Sequence, residues 1–240
     1  MNLAVDVGNT SAKIALFDGE HLVFKDSFKQ LSETQLKSIL VDNSPKRAIT
    51  SSVKHEASFI DDMLAELDTY IQLDHKTELP ITNHYNTPQT LGMDRLASVV
   101  AASAIFPKEN VLVIDAGTCI KYDFITDKGI YEGGSIAPGV EMRFKAMNHF
   151  TGKLPLIKPT NITNPPGKTT EEAMQTGVMF AILQEMEGFI EHYNLQHNKL
   201  KIIVTGGNGH YFEHKLKKQI FAHPDLVLLG LNKILQFNAA

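Results

Sequence analysis

A short acidic, glycine-containing motif occurs twice in this 240-residue chain, and the repeat constrains the fold more than any other feature. The first copy, DVGNTSAK, covers residues 6–13, and the second, DAGTCIK, covers residues 115–121. With one gap the two share the pattern D-x-G-(N)-T-x-x-K, and they begin 109 residues apart, close to the length of one domain. Each copy follows an apolar run and leads into another. The repeat predicts two copies of one structural unit with a cleft between them.

Strands and helices alternate around the two motifs. Apolar runs with turn residues at their ends predict strands at 2–7, 12–17, 21–28, 47–53 and 111–125, the last being a pair, with a further strand at 200–209 that ends in glycines. Helical periodicity predicts helices at 31–41, 56–68, 92–106, 141–149 and 170–192. This alternation is typical of α/β folds. We predict two domains, residues 1–108 and 109–240, with the boundary in the PKEN segment at 107–110.

Composition excludes several kinds of partner. The formal net charge is −4 and no block of like charges stands out, whereas nucleic-acid binding normally requires a basic patch. No apolar run approaches the roughly 18–20 residues that a membrane span needs. The single cysteine, Cys119, fits a reducing compartment. The sequence therefore predicts a cytoplasmic protein that binds neither nucleic acid nor a membrane.

The residues of the two motifs suit the phosphates of a nucleotide. Gly8 and Gly117 lack a β-carbon, so phosphate oxygens can approach the backbone closely. Turn N–H groups and the hydroxyls of Thr10 and Thr118 can donate hydrogen bonds to those oxygens. Lys13 can supply a positive point charge. One such turn alone is more often a tight turn with a side-chain cap, and the repeat is what favours the nucleotide.

Two further features extend this interpretation. The carboxylates of Asp6 and Asp115 can hold a hydrated cation against a polyphosphate, since Mg²⁺ prefers one or two carboxylates together with water. A third strand-to-glycine turn, VTGGNG at 204–209, suits a flat purine and ribose because Gly206 and Gly207 present bare backbone.

In these motifs the chain resembles the actin, sugar kinase and Hsp70 superfamily, and more closely the type III pantothenate kinase family. The resemblance covers almost the whole chain and rests on DVGNTSAK (6–13), YNTPQTLGMDR (85–95), DAGT (115–118), GGSIAPG (133–139), TGKLP (151–155), TTEEAMQTG (169–177) and VTGG (204–207). It implies two duplicated ribonuclease H-like (actin-like ATPase) domains with an interdomain nucleotide cleft. It also implies transfer of the ATP γ-phosphate to pantothenate, giving 4'-phosphopantothenate in the first step of coenzyme A biosynthesis, by a homodimer.

The resemblance assigns roles to individual residues. Asp94, in the G-x-D-R motif, corresponds to the general base, and its place in the first turn of an apolar helix is compatible with that role. The alternative is a plain N-terminal cap paired with Arg95. The residues predicted to bind pantothenate are Tyr85, Gly92, Met93, Arg95 and Thr170.

For Thr170 there is a competing structural interpretation, because Thr169 and Glu172 have the spacing of a capping box at a helix start. Both hold if Thr169 caps the helix and Thr170 points into the substrate pocket.

The remaining predicted contacts concern ATP and its cations. The residues predicted to bind ATP are Asp6, Val7, Gly8, Asn9, Thr10, Lys13, Gly117, Thr118, Gly206 and Gly207. Asp6 is predicted to hold Mg²⁺ through water. The resemblance further implies that Asp115 binds a monovalent cation, K⁺ or NH₄⁺.

The second motif departs from the family pattern D-x-G-T-A-x-T at two positions. Cys119 replaces an alanine and Lys121 replaces a threonine. Lys121 either alters the monovalent-cation site or supplies its own charge in place of the ion, and the sequence leaves both open.

Two other functions remain as alternatives. One is a different small-molecule kinase or a phosphatase of the same superfamily, which would need another acceptor beside Asp94. The other is a regulatory accessory protein that keeps the nucleotide cleft and lacks catalysis. The acidic residues of the motifs, together with Arg95, argue against the second.

Overall fold

The elements of the chain follow the predicted alternation of strand and helix. A computed structural model describes residues 1–52, 58–197 and 199–239. The strands are β1 (Asn2–Val7), β2 (Ala12–Asp18), β3 (His21–Phe28), β4 (Arg47–Ser52), β5 (Thr69–Gln72), β6 (Thr82–Asn83), β7 (Val111–Ala116), β8 (Cys119–Ile125), β9 (Ile130–Pro138), β10 (Lys201–Thr205) and β11 (Phe221–Ala222). The helices are α1 (Glu33–Asn43), α2 (Ser58–Leu64), α3 (Met93–Ile105), α4 (Val140–Phe150), α5 (Thr170–Gln175), α6 (Ala181–Gln196) and α7 (Leu226–Asn238). The parts of the predicted strand 47–53 and helix 56–68 that fall in residues 53–57 lie outside the described residues.

The chain divides into two compact units. Unit 1 consists of Met1–Pro107, Gly129–Tyr131 and Asp225–Ala240, and unit 2 of Lys108–Lys128 and Glu132–Pro224. The chain first passes from unit 1 to unit 2 between Pro107 and Lys108, within the segment 107–110.

Unit 1 is built on a five-stranded mixed sheet in the order β3-β2-β1-β4-β5. Strand β1 is antiparallel to β2 and parallel to β4. Because successive side chains of a strand point to opposite faces, Leu3 and Val5 of β1 pack in the core with α1 and α2. Ala4, between them, packs in a second core with α3 and α7. The apolar run of β1 therefore serves both faces of the sheet, as expected of a central strand.

Unit 2 repeats this strand order. The second sheet has six strands in the order β11-β10-β7-β8-β9-β6, with β7 antiparallel to β8 and parallel to β10, and the short β6 is an added edge strand parallel to β9. Strands β7, β8, β9, β10 and β11 thus take the places of β1, β2, β3, β4 and β5. The equivalence confirms the predicted α/β fold of two duplicated domains.

The C-terminal helix differs from the predicted division, which placed it in a domain of residues 109–240. Helix α7 belongs to unit 1, where its apolar side chains join the same core as Ala4. The fully buried Asn232 accepts a hydrogen bond from Asn2 Nδ2 at 2.9 Å and donates one to the carbonyl of Gly19 at 3.0 Å. These contacts join residues more than 200 positions apart, which local sequence patterns do not report.

Across the described ranges, no helix combines the length and the apolar character that crossing a bilayer demands.

Candidate active site

Each copy of the repeated motif connects two antiparallel strands. In unit 1, Asp6 of β1 lies opposite Lys13 of β2. In unit 2, Asp115 of β7 lies opposite Lys121 of β8. Directly opposed residues have their β-carbons about 4.5–5.5 Å apart, so the aspartate and lysine of the shared pattern are cross-strand neighbours in both copies.

The tip of the first hairpin is open to solvent. The Gly8 N–H donates to the carbonyl of Ser11 at 3.1 Å and closes the turn. Asn9 and Thr10, between them, are exposed. Their backbone and side-chain donors are therefore accessible to an incoming anion.

The tip of the second hairpin is one residue shorter, which accounts for the gap between the motifs. The Gly117 N–H donates to the carbonyl of Cys119 at 3.1 Å, and Thr118 alone occupies the exposed tip. Gly139 N–H donates to the Thr118 carbonyl at 3.2 Å. A β-carbon on Gly139 would lie 2.3 Å from that oxygen, so only glycine fits. Gly139 ends the quoted GGSIAPG motif, but it was not predicted as a site residue.

The third glycine turn lies beside the second hairpin in unit 2. Gly206 has φ +89°, and a β-carbon there would lie 2.4 Å from Asp115 Oδ1. Asn208 N–H donates to the carbonyl of the last residue of β7 at 2.9 Å, and Asn208 Nδ2 donates to Glu141 Oε2 at 3.0 Å. Gly207 is exposed between these anchors. The predicted residues of the second and third turns are therefore neighbours in one unit.

An ion pair joins the two strands of the second hairpin. Lys121 Nζ lies 2.7 Å from Asp115 Oδ2, with the two side chains 15% and 14% exposed. The next residue, Tyr122, donates its hydroxyl to Glu185 Oε1 at 2.8 Å, and Arg143 Nη2 lies 2.7 Å from Glu185 Oε2. Burial, and then the hydrogen bond to Glu185, raises the pKa of Tyr122, so its hydroxyl remains protonated as the donor. This network fixes the strand that carries Lys121.

Asp6 has a different environment. It is half-buried, and its Oδ1 accepts a hydrogen bond from Ser51 Oγ at 3.2 Å. Ser51 lies directly opposite Asp6 on β4 and was not predicted from the sequence. Val7 packs against the core of unit 1, which leaves its backbone as the part able to meet ATP.

Asp94 and Arg95 occupy the first turn of α3. The N-cap of this helix is Gly92, and Asp94 Oδ1 accepts a hydrogen bond from the Arg95 N–H at 2.9 Å. A β-carbon on Gly92 would lie 2.6 Å from Asp94 Oδ1, so the glycine makes room for the carboxylate. Met93 packs against the core shared by α3 and α7. The carboxylate thus has a structural contact at the helix start, and its role as a base stays a prediction.

Tyr85 and Arg95, both predicted to bind substrate, are neighbours within unit 1. The guanidinium carbon of Arg95, whose residue is 4% exposed, lies 5.3 Å from the centroid of the Tyr85 ring. The Tyr85 ring stacks on the Tyr131 ring, with centroids 6.2 Å apart and an angle of 7° between the planes. The backbone N–H of Tyr85 donates to Asn83 Oδ1 at 2.9 Å. A cation over an aromatic face is a favourable arrangement. Tyr131, which no motif indicated, therefore helps to hold Tyr85.

The capping box predicted at the start of α5 is confirmed. Thr169 Oγ1 accepts from the Glu172 N–H at 3.2 Å, and Glu172 Oε2 accepts from the Thr169 N–H at 3.2 Å. Thr170, the first residue of the helix, is exposed. It is therefore accessible to a ligand, while its predicted contact with pantothenate remains untested.

The topology and the acidic hairpins define a class of protein. Two mixed sheets that share an order of five strands are the architecture of actin-like ATPases and sugar kinases. A candidate N-acetylmannosamine kinase from Listeria monocytogenes aligns over 100% of this chain and 99% of its own, with a TM-score of 0.56 and 12% identity. A candidate Baf family transcriptional activator from Campylobacter jejuni aligns over 99% of this chain and 98% of its own, with a TM-score of 0.64 and 21% identity. At these identities the two structures establish the fold alone.

Sequence comparison identifies the family within this class. The family model for type III pantothenate kinase matches residues 2–192. The type III pantothenate kinase of Phocaeicola vulgatus is 46% identical over 99% of both chains. That of Cytophaga hutchinsonii is 42% identical over 99% of this chain and 100% of its own. The chain belongs to the type III pantothenate kinase family.

Proposed function

We propose that this protein phosphorylates pantothenate with ATP, forming 4'-phosphopantothenate and ADP in the first step of coenzyme A biosynthesis. The observation that carries the proposal is the similarity to relatives named for this activity, which extends over 99% of the chain at 46% identity. The two acidic hairpins and the glycine turn after β10 supply the kinds of group that bind a nucleotide. We assign them to ATP.

Positioning and charge neutralisation carry most of the work in phosphoryl transfer. The exposed Thr10 and Thr118 and their turn N–H groups are proposed to donate to phosphate oxygens. Lys13, opposite Asp6, adds a positive charge at the first hairpin. The exposed backbone of Gly207 is proposed to lie against the nucleoside.

The chemistry of Asp6 fits a hydrated Mg²⁺. It is a half-buried carboxylate that accepts a hydrogen bond from Ser51, and Mg²⁺ prefers one or two carboxylates together with water. Among the described residues no group of three or more His, Cys, Asp or Glu side chains could hold a metal. When bound, the ion offsets the charge of the polyphosphate.

Three of the residues assigned to the acceptor side of the reaction, Tyr85, Asp94 and Arg95, lie in unit 1. We propose that Asp94 accepts the proton of the primary hydroxyl of pantothenate as that oxygen attacks the γ-phosphorus and ADP leaves. The Arg95 guanidinium offers a planar set of donors for the carboxylate or amide of the substrate. Tyr85 holds that guanidinium in place through its ring. Thr170 is proposed as a further pantothenate contact.

A monovalent cation on Asp115 fits the structure poorly. Asp115 Oδ2 is paired with Lys121 Nζ at 2.7 Å, and Oδ1 lies against the backbone of Gly206. Alkali cations in proteins bind to several oxygen ligands, and this carboxylate already faces an ammonium group. The geometry argues against this part of the prediction.

Two further assignments come from the family resemblance. We propose that the enzyme works in the cytoplasm and as a homodimer. Measurement of the molar mass in solution by light scattering tests the second assignment.

The proposal is tested by measuring ADP release with pantothenate, with simple sugars and with no acceptor. We expect turnover with pantothenate alone. Turnover with a sugar instead would favour another small-molecule kinase of this fold. ATP binding without turnover on any acceptor would favour a regulatory accessory protein.

A further inference from the structure

We infer that the Lys121 ammonium is a built-in cation of the nucleotide site, so that this enzyme needs no added K⁺ or NH₄⁺. The inference rests on the proposed function, because it assumes that ATP binds at the second acidic hairpin. At position 121 this chain has a lysine, whereas the family pattern has a threonine.

The first support is the geometry of the ion pair. Lys121 and Asp115 are directly opposed in the β7–β8 ladder, and their charged atoms are 2.7 Å apart. Both side chains are about 85% removed from solvent, so water screens the pair weakly. The neighbouring Tyr122 is anchored through Glu185, which limits movement of the strand. The ammonium is therefore held at one position at the base of the hairpin.

The second support is the surroundings of the two carboxylate oxygens. One oxygen of Asp115 is paired with the ammonium, and the other lies where a β-carbon on Gly206 would be only 2.4 Å away. A free cation would have to share this carboxylate with an existing positive charge, which repels it. The place and charge of a monovalent ion are thus supplied by the side chain.

The third support is chemical. A lysine ammonium is a compact, strongly hydrated point charge with three donors and resembles NH₄⁺ in size and charge. The exposed Thr118 lies at the tip of the same hairpin, where phosphate is proposed to bind. A fixed ammonium at the hairpin base offsets the negative charge of phosphates bound there, whatever salt is in solution.

The test is to measure the dissociation constant of ATP by calorimetry, and the turnover with pantothenate, in choline chloride and in KCl at equal ionic strength. For the unmodified protein we expect both quantities to agree within twofold between the salts. An ATP affinity or a turnover that rises fivefold or more in KCl overturns the inference, and this result needs no variant.

Substitution of the lysine provides the converse test. Lys121→Thr opens the site, and we expect ATP to bind at least tenfold more weakly in choline chloride and to regain most of its affinity in KCl. Lys121→Met fills the space without charge, and we expect the loss without recovery. Lys128→Thr removes one positive charge from an exposed turn of the same unit and is expected to leave ATP binding unchanged in both salts.

The outcomes separate this inference from the proposed function. Unchanged ATP affinity in Lys121→Thr, or a loss that KCl does not restore in a variant with the parent melting temperature, contradicts the inference alone. ATP binding without phosphorylation of pantothenate contradicts the proposed function, while the affinity measurements still test the lysine. Absence of ATP binding in either salt contradicts both.

Discussion

At the scale of single residues, Asp94 combines a structural contact with the properties of a base. Its Oδ1 accepts the Arg95 N–H at the start of α3, and Gly92 leaves the space for it. As a base, the same carboxylate would take up a proton from the substrate. A substitution that keeps the first contact and removes the basicity can separate the two roles.

Asp94→Asn makes this separation, because the amide keeps a carbonyl oxygen as acceptor and cannot take up a proton at neutral pH. We expect kcat to fall by roughly 10²–10⁴-fold, the usual contribution of a general base, with the dissociation constant of ATP unchanged. Steady-state kinetics and calorimetry measure the two quantities. Asp62→Asn, at an exposed position of α2, serves as the control. Normal turnover in Asp94→Asn would exclude this residue as the base.

The sequence predicted the residues of the repeated motifs better than the residues that contact the predicted site side chains. The shared aspartate and lysine could be recognised from spacing alone, and the structure places them opposite each other in both hairpins. Ser51 and Tyr131 were missed, because they reach Asp6 and Tyr85 through strand pairing and ring stacking between distant segments. No local pattern records such contacts.

At the scale of elements, the crossing of α3 and α7 depends on one glycine. A β-carbon on Gly230 of α7 would lie 1.8 Å from the carbonyl oxygen of Ala97 in α3. The two helices therefore approach closely enough for backbone to touch backbone. The sequence predicted α3 from its apolar surface, but it could not indicate which helix would cover it.

Gly230→Ala is expected to destabilise unit 1 by at least about 2 kcal/mol, because the added methyl group overlaps a backbone atom and the helices must separate. Gly188→Ala in α6 is the matched control, since a β-carbon there meets nothing within 4 Å. That substitution is expected to stabilise unit 2 by up to about 1 kcal/mol through helix propensity. Urea denaturation followed by circular dichroism measures both changes. Equal effects of the two substitutions would contradict the proposed helix contact.

At the scale of the whole molecule, the duplication explains both what was predicted and what was not. Two matching motifs at domain spacing were enough to predict two equivalent sheets, and the two sheets share an order of five strands. The sequence did not predict that the C-terminal segment, residues 225–240, belongs to unit 1. This placement depends on the burial of α7 and on the hydrogen bonds of Asn232 to distant residues. That both acidic hairpins serve one nucleotide stays a prediction.

The most direct test of the account is to follow the phosphorus atoms of ATP by ³¹P NMR during incubation with the protein, Mg²⁺ and pantothenate. We predict that the γ-phosphate signal is replaced by one phosphomonoester signal on the primary hydroxyl of pantothenate, growing in step with ADP. ADP accompanied only by inorganic phosphate, or ATP that persists unchanged with pantothenate present, would contradict the central claim.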